Sequence, residues 1–139
     1  PMQWTSGRNA GFTGADKAWF HINPNYTRVN VEAQLGDPDS LLNYYKKLLA
    51  LRKENPVFVY GDFKLHYPRS KKLFVYERND EGKKLLVLCA FSEEPVRFRT
   101  PDGLKLAQGR LILSNYAVEN PGADDFLTKP YETRVYLFE

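Results

Sequence analysis

DPDSLLNYYKKLLALRKENP, residues 37–56, divides this chain into two halves of different texture. Asp37 is a suitable N-cap, Pro38 suits the first helical position, and Asp39 complements the positive start of a helix. Lys53 sits near the other end, and Pro56 forbids continuation. At about 100° per residue, Leu41, Leu42, Tyr44, Tyr45, Leu48, Leu49 and Leu51 fall on one half of the helix. Asn43, Lys46, Lys47, Ala50, Lys53 and Glu54 take the other half. An apolar face that wide needs a large surface to rest on, or two different ones. Arg52 falls near the middle of it. A guanidinium there must meet a carboxylate or several backbone carbonyls, and a structural role is favoured over a catalytic one.

Before the helix, residues 1–29 read as loop. Gly7, Gly11, Gly14, Pro24 and several asparagines leave no sustained period of 2 or 3.6. Yet the stretch holds Trp4, Phe12, Trp19, Phe20 and Tyr26. A loop of roughly 30 residues is rare in a compact domain, and is functional or built against something else. Asn30 is positioned to cap a short helical turn, VEAQL, ending at Gly36.

After Pro56 come short β-branched and aromatic runs: VFVY, FKLHY, KLFVYER, LLVLCAF, VRFR, RLILSNY and RVYLFE. Turn residues separate them at Gly61-Asp62, Asn79–Gly82, Pro101–Gly103 and Asn120–Gly122. The pattern predicts an antiparallel sandwich or barrel. The best hairpin joins Leu73–Arg78 to Leu85–Phe91, with Gly82 at a left-handed position. LLVLCAF lacks alternation, which predicts a central strand covered on both faces. The fold class is therefore mainly β, with a boundary near Pro56: loop and helix over residues 1–56, all-β over 57–139.

The chain has 139 residues, 42% hydrophobic and 14% aromatic, enough for a packed core and too apolar for disorder. Its net charge of +3 arises from 20 basic and 17 acidic residues scattered along the sequence. Nucleic-acid binding needs a concentrated positive footprint and is not expected; Arg69-Ser70-Lys71-Lys72 reads as a surface turn. The single cysteine, Cys89, lies in an apparent buried strand and reads as a structural thiol. No signal peptide and no transmembrane run is present. A chain beginning at Pro1 in mid-loop is expected to be part of something longer.

No nucleophile elbow, phosphate loop, HExxH or CxxC occurs. His66 looks like an exposed strand residue, and His21 sits among aromatics with no partner at ligand spacing, so neither a metal nor another cofactor is expected. Sugar hydrolysis uses paired carboxylates. Asp37 and Asp39 are engaged in helix capping. Glu93/Glu94, Asp124/Asp125 and Glu119 read as turn residues with nothing to raise a pKa. The residues thus offer no complete active site and no catalytic residue. The aromatics offer flat apolar faces for pyranose rings, although Trp19 and Tyr26 read better as anchors of the loop. Trp4, Asn9 and Phe12 are the candidates for a substrate rim.

PMQW (Pro1–Trp4), NAGFT (Asn9–Thr13), Trp19, NPNY (Asn23–Tyr26), SLLNYYKKLLALRKENP followed by YGDF, SNY (Ser114–Tyr116) and KPYETRVYLF (Lys129–Phe138) carry a resemblance covering nearly the whole chain. It resembles the C-terminal part of the oligo-1,6-glucosidases, dextran glucosidases, α-glucosidases and trehalose-6-phosphate hydrolases of the α-amylase superfamily, glycoside hydrolase family 13. The resemblance implies a (β/α)8 barrel followed by a small antiparallel domain C. Residues 1–29 would match the loop after barrel strand 8, Asp39–Asn55 the last barrel helix, and 57–139 domain C. It also implies that the nucleophile and the general acid lie on earlier barrel strands absent here. The parent would be a cytoplasmic retaining glycosidase acting on short α-gluco-oligosaccharides, and this chain alone would be inactive. Where the family often carries acidic residues after PMQW, this chain has Thr5, Ser6 and Gly7. The expected partners are the missing barrel and, through the exposed Leu41 and Leu48 face, a second copy; no membrane partner is expected. The competing readings are a stand-alone carbohydrate-binding β-sandwich, a module whose apolar helix face binds another protein, and a trehalose-6-phosphate hydrolase as the parent.

Overall fold

The turn at Glu81-Gly82 organises the sheet. Both residues adopt positive φ, +45° and +84°, the conformation a tight two-residue hairpin requires. The computed structural model describes all of residues 1–139, and the hairpin joins β2 (Leu73–Asp80) to β3 (Lys83–Ala90) in register from Leu73↔Ala90 to Asp80↔Lys83. β1 (Asp62–His66) pairs antiparallel with the outer side of β2. β4 (Arg97–Arg99), β5 (Arg110–Ser114), β6 (Asp125–Leu127) and β7 (Thr133–Phe138) follow. The strand order is β1-β2-β3-β7-β5 in one sheet and β4-β6 in a second. β3 is flanked on both sides, as its unbroken apolar run predicts, and Leu85, Leu86, Val87 and Leu88 are all buried.

The inner face of the large sheet carries Leu73, Val75, Leu86, Leu88, Ala90 and Tyr136. They pack into one cluster with Phe98 of β4 and with Leu104 and Leu106 of the connection that follows. Phe98 also meets Phe126 of β6 at 5.2 Å between ring centres. A register irregularity between Leu111 and Leu113 bends β5 against β7.

Two compact units divide the chain, Pro1–Leu51 and Arg52–Glu139. Three helices precede the sheet: α1 (Val31–Gly36), α2 (Leu41–Glu54), which runs across the division, and α3 (Val57–Tyr60). Asn30 caps α1, its side chain accepting from the Ala33 amide at 2.8 Å.

Three expectations are corrected. Asp37 does not cap the long helix. Its side chain accepts from the Asp39 amide at 2.9 Å in a local turn, and Pro38 holds Asp37 extended. Ser40 takes the capping role, accepting from the Asn43 amide at 3.2 Å while donating to the Gln34 carbonyl at 2.7 Å. VFVY is not a strand but the single turn α3, because Pro56 starts in the helical region and its carbonyl accepts from Val59 and Tyr60. α3 buries Val57 and packs on β2 and β3. Arg52 is not sunk among apolar neighbours: it is exposed and reaches past the helix end, donating from Nη1 to the Phe58 carbonyl at 3.2 Å. No residue of α2 is buried, and Leu41, Tyr45 and Leu49 are exposed.

Candidate functional site

The aromatic loop is shaped by hydrogen bonds rather than by burial. Asn9, Ala10 and Gly11 all hold positive φ, 53°, 55° and 66°. Such a run is strained for non-glycine residues and marks a place where function is worth seeking. Two bonds hold it: the amides of Trp4 and Thr5 both donate to the Ala10 carbonyl, at 2.9 and 3.1 Å, and Ala10 is fully buried. A Cβ at Gly11 would lie 2.9 Å from Thr5 Oγ1, so glycine is required there by space as well as by φ. The carbonyls of Gln3 and Trp4 accept from the amides of Val31 and Glu32, which lays PMQW along the start of α1. Gln3 Nε2 adds bonds to Asn25 Oδ1 at 2.8 Å and to the Val29 carbonyl at 2.6 Å.

A cleft of about 320 Å³ opens beside this turn, lined by Asn9, Lys17, Ala18, Trp19, Phe20, His21 and Ile22. Of the three rim candidates, the structure brings Asn9 to the cleft and leaves Trp4 and Phe12 outside its lining. Asn9 is half-buried and spends its amide on the Ala15 carbonyl at 2.7 Å. Trp4 and Phe12 are solvent-facing, at 48% and 39% exposure. Trp19 overturns its reading as an anchor: it is 85% exposed, in contact with the Phe20 ring at 4.7 Å. The cleft therefore offers an indole, a phenyl ring, an ammonium and an imidazole, but no carboxylate. It can stack on and hydrogen-bond to a sugar, and it cannot supply the acid and nucleophile of glycoside hydrolysis.

Three carboxylates elsewhere, Glu77, Asp124 and Asp125, are held below the ordinary range. Glu77, on the inner face of β2, is nearly buried and lies 3.0 Å from Lys64 Nζ, 3.7 Å from Lys84 Nζ and 3.4 Å from His66 Nε2. Burial pushes its carboxyl up, but the Lys64 hydrogen bond and the charges of Lys84, Lys64 and His66 outweigh this and leave it below the ordinary range. His66 is thus half-buried, not exposed, and its buried Nε2 makes no well-formed hydrogen bond. The Leu106 amide, above all, holds Asp124 low; Asp125 is held low by its hydrogen bond to Arg97, with Arg99 adding to it. Asp125 proves to be a strand residue of β6 bound bidentately by Arg97. Glu132 is fully buried and accepts from Arg134 Nε at 2.8 Å, and that guanidinium lies 3.9 Å from the Phe126 ring centre. Held low, Glu77, Asp124 and Asp125 do not suit a general acid, which needs a raised pKa. The Cys89 thiol is pushed up by burial and is a poor nucleophile. No group of three or more His, Cys, Asp or Glu gathers to hold a metal ion.

Sequence reasoning missed Glu77, Glu132 and Arg134. The signal was present: Glu77 follows Val75 at a spacing of two, on a core-facing parity where an acid must be paired.

The family profile "Alpha amylase, catalytic domain" matches residues 1–61. Over its whole length the chain is 48% identical to the probable oligo-1,6-glucosidase 2 of Bacillus subtilis (strain 168), covering 24% of that protein. The fold superposes on all of this chain and 25% of the Bacillus licheniformis trehalose-6-phosphate hydrolase, at a TM-score of 0.89 and 35% identity. It matches isomaltulose synthase from Klebsiella sp. LX3 at a TM-score of 0.90 and 35% identity, over 99% of this chain and 24% of that one. The chain spans about a quarter of the length of the relatives it matches.

Proposed function

Because this chain belongs to the alpha-amylase family, among relatives of the oligo-1,6-glucosidases, we propose that it is the C-terminal part of a retaining α-glucosidase acting on short α-glucosidic oligosaccharides. In this reading, residues 1–56 are the last loop and helix of a (β/α)8 barrel. Residues 57–139 are domain C, and the aromatic loop faces the active-site end of the barrel. One carboxylate of the remaining protein attacks the anomeric carbon and another protonates the leaving oxygen. The chain itself supplies shape: the left-handed turn at Asn9–Gly11 and the cleft beside it. The observation that carries the proposal is the 48% identity to an oligo-1,6-glucosidase over the full chain. The carboxylate-free cleft supports the inactivity of the isolated chain. The proposal places the parent in the cytoplasm, and self-association of the isolated chain falls to the exposed Leu41, Tyr45 and Leu49.

The test compares the purified 139-residue chain with the same chain joined to the remainder of its parent. Isomaltose should release glucose only with the longer protein. Glucose release by the short chain, free of co-purifying hydrolase, would reject the reading. A second parent, a trehalose-6-phosphate hydrolase, is favoured by the likeness to the Bacillus licheniformis enzyme. Offering isomaltose and trehalose 6-phosphate to the longer protein decides between them.

A further inference from the structure

The only formal charge in the lining of the cleft beside Asn9–Gly11 is positive. Lys17 and His21 line it with Asn9, Trp19 and Phe20, and no carboxylate does. The acidic neighbour in sequence, Asp16, is taken up by Arg8: Nη2 lies 2.7 Å from Oδ1 and donates to the Asp16 carbonyl at 2.8 Å. Lys17 and His21 are both exposed, and neither enters an ion pair or a hydrogen bond within the chain. A concave site with an unmatched ammonium attracts an anion, and lysine is a common point-charge partner of phosphate.

The aromatic part of the lining has a different use. Trp19 is 85% exposed and Phe20 57%. Their ring centres are 4.7 Å apart and their planes are tilted by 43°, which makes an open corner rather than a stack. An exposed indole offers a broad apolar face on which the C–H face of a pyranose can rest. Asn9 spends its amide nitrogen on the Ala15 carbonyl at 2.7 Å, which leaves its Oδ1 to accept from a hydroxyl. A volume of about 320 Å³ stands at the small end for ligand sites and suits one ring with its substituent.

We propose that this cleft binds a phosphorylated sugar, its pyranose ring laid on Trp19 and its phosphate held by Lys17 and His21. The inference rests on the sugar-acting family reading above and goes beyond it in the charge of the ligand. A neutral oligosaccharide would leave the ammonium idle, and bare phosphate would leave the indole idle. A sugar phosphate uses both.

Fluorine NMR of the chain labelled with fluorotryptophan reads the cleft directly. Trp4 and Trp19 are its only tryptophans, and Trp4→Phe assigns the Trp19 resonance. Glucose 6-phosphate, trehalose 6-phosphate, glucose and inorganic phosphate are titrated in turn. A sugar phosphate should shift the Trp19 resonance with a Kd about tenfold or more below that of glucose, and bare phosphate should be weaker by a similar factor. Lys17→Ala and His21→Ala, both at exposed positions, should each weaken the sugar phosphate by about fivefold and leave glucose unchanged, while Lys17→Arg retains binding. Equal affinity for glucose and its phosphate overturns the proposal. So does an equal response to bare phosphate, or silence toward all four. The titration is repeated on the chain joined to the remainder of its parent, where Trp19→Phe identifies the resonance, and this longer protein decides wherever the two differ. Loss of the response there makes the cleft a covered surface and overturns the site. Hydrolysis of isomaltose and trehalose 6-phosphate by the longer protein separates the two readings. Activity without a Trp19 response rejects the cleft site alone, and a response without either activity rejects the glucosidase reading alone.

Discussion

The first 51 residues and the last 88 are held together by different forces. Ala10 is the sole buried apolar residue before Arg52; every other one lies after it. The first region is knit by polar bonds: Gln3 to Asn25, Asn9 to Ala15, Asn30 to Tyr26 and Ala33, Asn43 to Asp37. Each such bond contributes about 0.5–1.5 kcal/mol net. The second region closes an apolar core whose single side chains contribute about 1.5–3 kcal/mol on burial. A sequence rich in aromatics has therefore spent them unevenly. Trp4, Phe12, Trp19 and Phe20 remain at the surface, while Phe98 and Tyr136 are wholly inside.

The sharpest way to break this contrast is through the core. Phe98→Ala should cost about 3–5 kcal/mol, read as a lower urea midpoint for residues 52–139. Glu132→Ala, which leaves the Arg134 guanidinium buried without its carboxylate, should cost about 3 kcal/mol in the same assay. Glu77→Gln should cost about 1–2 kcal/mol at pH 7. Its pH dependence has a definite sign. The folded carboxyl lies below its unfolded value, so the stabilisation is complete above the ordinary carboxylate range and fades as pH falls through the folded value. The gap between wild type and Glu77→Gln should accordingly close in acid, and a gap that widens there would contradict the ion cluster. Gly11→Ala should raise amide exchange within residues 1–29 by an amount equivalent to about 1–2 kcal/mol and leave the sheet unchanged. Leu41→Ala, at 77% exposure, should shift the midpoint by less than about 0.5 kcal/mol. A loss as large as that of Phe98→Ala would show that the two regions are not built differently.

What was legible followed from local chemistry. The Gly82 hairpin, the central position of LLVLCAF and the Asn30 cap each depend on a few neighbouring residues, and each is found in the structure. VFVY misled because its β-branched residues favour a strand, while Pro56 and the burial of Val57 impose a helical turn. Asp37 misled because three capping signals within four residues, Asp37, Asp39 and Ser40, compete, and the Pro38 turn decides between them. At the candidate site, the glycine bend was visible but the cleft was not. Asn9 and Trp19 both line it, beside a run of positive φ that no periodicity records. Glu77 meets Lys64, His66 and Lys84 only once the register of β1, β2 and β3 is set.

The position of β3 between β2 and β7 has a kinetic consequence. One of its edges zips at once against β2, across two turn residues, while the other must wait for Thr133–Phe138 to arrive from far along the chain. During that interval the most apolar strand of the molecule presents a free row of amides and carbonyls, open to pairing with any passing strand. Pulse-labelled exchange during refolding should find the hairpin amides protected first and those facing β7 last, so that the slowest moment of assembly is also the stickiest.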